Sequence, residues 1–120
     1  MRDFADTAEF IAETAREAYE TLLWSEGVSN GSEVHESVHL EVYQAVMNLL
    51  YVDSARAIID GYGLSPTYVG HNLILSGNRH GTGFWDNYST GLTDEDAATL
   101  HNYSTGVEVY AGDDGVYYAM

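Results

Sequence analysis

Apolar residues in the first half of the chain recur at intervals of three and four. Phe4, Ala8, Ile11, Ala15, Ala18, Tyr19 and Leu22 make one stripe, the period of a helix with one buried face, and predict a helix over residues 3–25. Glu26-Gly27 and Ser29-Asn30-Gly31 interrupt it with turn chemistry. Ser32 then reads as an N-cap with Glu33 in the first turn. Val34, Val38, Val42, Ala45, Val46 and Leu49 carry the apolar side of a second helix running to about Leu50. A short third helix over residues 53–60, with Ala55, Ile58 and Ile59 inward, stops at Gly61-Tyr62-Gly63.

The period changes after Ser65-Pro66. The run VGHNLIL at 69–75 reads as a strand, SGNRHGTG as a turn-rich connection, and GFWD at 83–86 as a second strand. Thr93 with Asp96 three residues on predicts a capped short helix over 94–102. VEVYAG and VYYAM alternate on either side of Asp113-Asp114-Gly115, a hairpin pattern. The expected architecture is α+β in a single domain, 1–120. A helical half (1–63, about three helices) packs with a strand-rich half (64–120) holding a small antiparallel sheet and one further short helix. YSTG occurs at 88–91 and 103–106, too short a match to make a repeat.

A chain of 120 residues supports one core rather than two lobes with a deep cleft between them. No run of 18 apolar residues is present, so no membrane span is expected. The first residues, MRDFADTAEF, carry acids where a signal peptide needs a basic and then an apolar run. Without cysteine there are no disulfides and no thiolate metal sites; the expectation is a cytoplasmic protein with no cofactor.

Charge changes the picture most. Nineteen acids face Arg2, Arg16, Arg56 and Arg79, with no lysine, for a net charge of −15. Such a surface repels nucleic acid and anionic membrane and attracts basic protein surfaces. A content of 45% hydrophobic residues with ten tyrosines is too apolar for a solvated disordered chain. On a helical wheel Asp3, Asp6, Glu9, Glu13, Glu17 and Glu20 occupy an arc of about 120°, opposite the Phe4–Ile11–Ala15–Leu22 stripe. Neighbouring acids then lie roughly 5–6 Å apart, an interval comparable to the phosphates of a DNA strand, with Arg16 at the edge. Phe10 and Trp24 fall on the same side; aromatics among acids are the composition of a binding surface or of a homodimer contact. Glu33, Glu36 and Glu41 extend the acidic set onto the second helix, and Asp53 and Asp60 onto the third.

Two stretches carry candidate chemistry of another kind. HESVH at 35–39 matches H-E-x-x-H, in which histidines four apart share a metal and the glutamate serves as general base. The residues after His39, LEVYQA, supply neither the glycine nor the histidine of the long zinc-peptidase form, and Asp60 is one of many acids that could complete a site. His35 and His39 are therefore weak metal candidates. His71, His80, Asp86 and Arg79 form a second set that strand-turn-strand geometry would bring together. Neither a nucleophile elbow nor a phosphate loop is present.

The segment VHESVHLEVYQAVMNLLYVDSARAIIDGYGL resembles the central part of Ocr-type phage antirestriction proteins. The matching positions are Val34, His35, Glu36, Val38, His39, Leu40 and Ala45, then Tyr51, Ala57, Ile58 and Gly63. That resemblance implies an acidic, helical, dimeric protein that mimics bent B-form DNA and occupies restriction enzymes. After Gly63 the chain departs from that family, with strand-like runs and no acidic tail. Residues 71–120 are similar to the C-terminal module of small uncharacterised phage proteins, which carry an NGHGxGFWD run and a later GDDG hairpin. His71, Arg79, His80, Gly81, Gly83, Phe84, Trp85 and Asp86 fit the first, and Tyr110, Gly112, Asp113, Asp114 and Gly115 the second; the resemblance implies a phage or mobile-element origin.

The sequence thus reads as a phage-encoded acidic inhibitor, not an enzyme. It would bind a basic, nucleic-acid-handling host protein by DNA mimicry, in an anti-restriction or other anti-defence role. Asp6, Glu9, Glu13, Glu17, Glu20, Glu33, Glu36 and Glu41 are the expected contacts, with Phe10 and Trp24 as apolar ones; neither nucleic acid nor membrane is an expected partner. The alternatives are a small metal-dependent hydrolase using HESVH or His71/His80/Asp86, and a phage accessory protein whose acidity keeps it soluble or adapts it to salt.

Overall fold

A computed structural model describes residues 7–29, 31–79, 82–85 and 90–120. Among these residues the chain forms α1 (Ala8–Ser25), α2 (Glu36–Leu50), α3 (Asp53–Tyr62), α4 (Pro66–Gly77), α5 (Asp94–Asn102), β1 (Val109–Ala111) and β2 (Tyr117–Ala119). The α+β class holds, whereas the strand-rich second half does not: it contributes two helices and one two-stranded hairpin. No helix of the described residues is long and apolar enough to cross a membrane.

The largest departure is α4. The run expected as a strand at 69–75 is its middle. Ser65 caps it by accepting from the Tyr68 N–H at 3.1 Å, and Pro66 takes the first helical position, where a missing N–H costs nothing. Val69, Leu73, Ile74 and Leu75 are all buried, as are Gly70, Asn72 and Ser76 between them. A helix enclosed on nearly every side shows no 3.6-residue stripe, so its sequence looks like a central strand. α4 runs against α1 at close range. A Cβ on Gly70 would stand 2.5 Å from the Thr14 carbonyl oxygen and 2.9 Å from the Ala18 nitrogen.

That contact rotates the buried side of α1. Its core residues are Phe10, Thr14, Ala18, Thr21 and Leu22, while Ile11, Ala15 and Tyr19 are half-buried. Phe10, expected as an exposed partner contact, is 1% exposed and belongs to the core. Thr14 satisfies its hydroxyl by donating to the Phe10 carbonyl at 2.7 Å. Thr7 starts α1, its hydroxyl oxygen accepting from the Phe10 N–H at 3.2 Å. Phe4, expected in the apolar stripe, lies outside the described residues.

α2 begins later than expected, and Ser32 is not its cap. Residues 33–35 run extended alongside β2: the His35 N–H donates to the Tyr117 carbonyl at 2.8 Å and the Tyr117 N–H to the Glu33 carbonyl at 3.0 Å. His35 then caps the helix, its Nδ1 accepting from the Ser37 N–H at 3.0 Å. α3 ends at Gly63 in the left-handed region, φ 64°, where glycine pays no Cβ penalty.

Residues 83–85 do not form a strand either. Gly83, φ 102°, lies so close to α4 that a Cβ would stand 2.3 Å from the Ser76 hydroxyl. The Phe84 N–H donates to that hydroxyl at 3.0 Å, and the Phe84 ring is fully buried. Asp86 lies outside the described residues. α5 forms where Thr93 predicts it, with the Asp96 N–H donating to the Thr93 hydroxyl at 3.1 Å. The Asp96 carboxylate instead accepts from the Tyr62 hydroxyl at 2.6 Å and so ties α5 to α3. In the hairpin Tyr110 pairs with Tyr118, and Gly115 sits at φ 81°. The Asp114 carboxylate accepts from the Tyr118 hydroxyl at 2.6 Å and the Val116 N–H at 3.0 Å. These bonds, the first the stronger, hold its pKa below the usual carboxylate value.

Candidate binding surface

The acidic side of α1 survives the rotation of its core, but it borders the α4 seam instead of lying opposite the buried side. Glu9, Glu13 and Glu20 are exposed; Glu17 is half-buried, because Gly70 approaches its Cβ. Arg16 reaches Glu20 at 3.9 Å, both side chains well exposed, an ion pair worth at most about 1 kcal/mol. A second ion pair joins Arg56 to Asp53 on α3. Asp6 lies outside the described residues.

At the C-terminal end of the row stands Trp24, 70% exposed. Its ring centroid lies 6.1 Å from that of His71 on α4, the planes tilted by 34°. His71 is in turn held through Nδ1, which shares a hydrogen bond with the buried Thr21 hydroxyl at 3.1 Å. Glu17, Glu20, Thr21, Trp24 and His71 enclose a shallow hollow of about 240 Å3. Thr21 and His71 were not expected here. Their roles depend on α4 being a helix beside α1, which the apolar run at 69–75 does not disclose.

The acids of α2 stand apart from this row. Glu33 lies in the extended segment beside β2, Glu36 in the first turn of α2, and Glu41 further along it, all three exposed. Glu36 has a local role as well, since a carboxylate at a helix N-terminus meets the positive end of the helix dipole.

HESVH does not present its histidines as a pair. His35 is outside the helix as its cap, and its ring packs on Tyr118 at 4.8 Å. His39 stacks on Tyr19 of α1, 4.1 Å between centroids and 17° between planes. The two rings thus pack on different partners, and Nδ1 of His35 is already engaged as the helix cap. In the second set, His71 is committed to Thr21 and Trp24, while His80 and Asp86 lie outside the described residues. Arg79 closes α4 in the left-handed region, φ 60°, and donates to Nε2 of His101. Burial first, and then the Arg79 charge, push the His101 pKa below its ordinary value. No three histidine, aspartate or glutamate side chains among the described residues gather as a metal-holding group.

Comparison with protein-family models, with curated proteins and with solved structures finds no match to this chain.

Proposed function

We propose that the protein is a phage-encoded, non-enzymatic inhibitor that occupies the nucleic-acid-binding surface of a basic host protein, in an anti-restriction or other anti-defence role. The observation that carries this reading is the row Glu9–Glu13–Glu17–Glu20 along one side of α1, compensated among the described residues by a long contact from Arg16 to Glu20. Carboxylates at this spacing stand in for phosphates, and a partner's lysines and arginines release counterions on meeting them as they would on meeting DNA. Trp24 supports the same reading. Leaving so large an apolar side chain in water forfeits roughly 1.5–3 kcal/mol that burial would give, and an aromatic on a charged face is a common anchor for a protein partner. The resemblance of residues 34–64 to Ocr-type proteins points the same way.

The test is capture of basic proteins from a host lysate at low and high salt, followed by competition with duplex DNA. Duplex DNA should displace the captured partner, and capture should weaken steeply with salt. Changing Glu13, Glu17 and Glu20 together to Gln should lower affinity, each lost exposed pair contributing up to about 1 kcal/mol. A partner that holds DNA and this protein at once, indifferent to salt and to the triple change, would rule out mimicry by this face.

A further inference from the structure

Trp24 is exposed yet positioned. The indole stands beside the His71 ring, which is itself fixed by the buried Thr21 hydroxyl. About one and two helical turns earlier, Glu20 and Glu17 complete the hollow. At about 240 Å3 it falls below the roughly 300–1,000 Å3 of small-molecule sites and suits one side chain of a partner. Its walls are a flat aromatic surface and two carboxylates. Arg16, the cation nearest along α1, lines a different hollow with Tyr19 and His39 and meets Glu20 from there at 3.9 Å.

This combination selects among cations. A guanidinium is planar, weakly hydrated and always charged; it stacks on an aromatic ring while donating N–H groups to a carboxylate. An ammonium is a compact, strongly hydrated point charge that gains less from a flat ring. An apolar side chain would draw Glu17 and Glu20 out of water while supplying no group to pair them.

We infer that the hollow between Trp24, His71 and the Glu17 and Glu20 carboxylates is an arginine pocket: it takes one arginine side chain of the basic partner, the guanidinium stacked on the indole and hydrogen-bonded to a carboxylate. The inference rests on the reading of the acidic side of α1 as a partner surface, and it names which cation that surface prefers at its C-terminal end.

The experiment uses the full chain and two short capped peptides, identical except that one carries arginines where the other carries lysines. Calorimetry gives the affinities, and Trp24 emission in a Trp85→Phe background reports contact with the ring. The arginine peptide should perturb Trp24 emission and bind about fivefold more tightly than the lysine peptide, the size of a cation–π contact at an exposed site. Trp24→Leu should bring the two peptides to equal affinity, and Trp24→Tyr should restore part of the difference. Glu9→Gln with Glu13→Gln should weaken both peptides alike and leave their ratio unchanged. Equal affinities in the parent, or a ratio untouched by Trp24→Leu, would overturn the arginine pocket while leaving the acidic surface standing, since that surface requires only salt-sensitive binding of both peptides. If neither peptide binds in a salt-sensitive way, the acidic surface fails first and the pocket fails with it.

Discussion

The two sides of α1 differ in what they are made of and in what each can lose. Toward α4 the helix presents Phe10, Thr14, Ala18 and Thr21, all buried. Small and medium residues predominate there because Gly70 lets the two backbones come close. Roughly a third of a turn away it presents Glu9, Glu13 and Glu20 to water. The seam has no slack for added atoms, whereas the acidic side has space but an excess of one charge. Substitutions on the seam should therefore register in stability, and substitutions on the acidic side in binding.

The sharpest way to break that contrast is to truncate the two aromatics that the sequence puts together. Phe10→Ala should cost about 3–5 kcal/mol, the usual range for a buried phenylalanine. Trp24→Ala should stay within about 0.5 kcal/mol, as an exposed substitution does. Urea-unfolding midpoints of both variants decide it. Similar losses in the two would mean that Trp24 is part of the core and that α1 has no free side there.

Glycines sharpen the contrast at a smaller scale. Gly70→Ala inserts a methyl group against the Thr14 carbonyl and should cost about 1–3 kcal/mol, as overpacking does. Gly115→Ala meets no atom within 4 Å, but φ is 81°, and the left-handed backbone should cost about 1–2 kcal/mol. Gly61 in α3 has neither constraint, so Gly61→Ala should gain up to about 1 kcal/mol. Thermal melting that placed Gly70→Ala beside Gly61→Ala would show that α4 can move away from α1.

The same contrast explains what could be read from the sequence. The hairpin was legible because its chemistry is local: Gly115 takes the positive φ, and Asp114 bonds to Val116 and Tyr118 within its own turn. α5 was legible for the same reason, through Thr93. α4 was not, because its buried surroundings erase the period that distinguishes a helix from a strand, although Ser65-Pro66 does spell a helix start. Read as a strand, residues 69–75 leave α1 without a helical neighbour on that side. Periodicity alone then places Phe10 among the acids and centres the core on the stripe opposite them, whereas Phe10 is buried. The start of α2 is set by a long-range contact: Glu33–His35 bonds to Tyr117, more than eighty residues later. The exposed part of the candidate surface, by contrast, was legible, since Glu9, Glu13, Glu20 and Trp24 stand in water and charge periodicity needs no tertiary partner to be seen.

A smaller effect tests the far end of α4. Nε2 of His101 takes a hydrogen bond from Arg79, so the imidazole is neutral there with its proton on Nδ1. Burial and then the Arg79 charge lower its pKa. The stability this contributes is present above the unfolded histidine pKa of about 6.5 and is lost as pH falls through the lower folded value. The melting temperature should therefore drop from pH 7 toward pH 5, and His101→Gln should drop less, since glutamine keeps an acceptor for Arg79 and cannot take up charge. Parallel pH profiles would remove His101 from the explanation.

The smallest expected effect is on the acidic side itself. Glu9, Glu13, Glu17 and Glu20 are three or four residues apart, so their repulsion destabilises α1 by a few tenths of a kcal/mol per pair. Changing Glu13, Glu17 and Glu20 to Gln keeps side-chain size and helix propensity. The variant should be slightly more stable than the parent at low salt. Screening should close the gap by about 1 M salt, where the Debye length falls to roughly 3 Å. The half-buried position of Glu17 beside Gly70 makes it the member most able to depart from that pattern, so the single change Glu17→Gln belongs beside the triple one. A triple variant that melts well below its parent at every salt concentration would mean that these carboxylates hold the α1–α4 seam together. They would then be structural groups, and the division of α1 into a packed side and an exposed acidic side would fail at the place where the two meet.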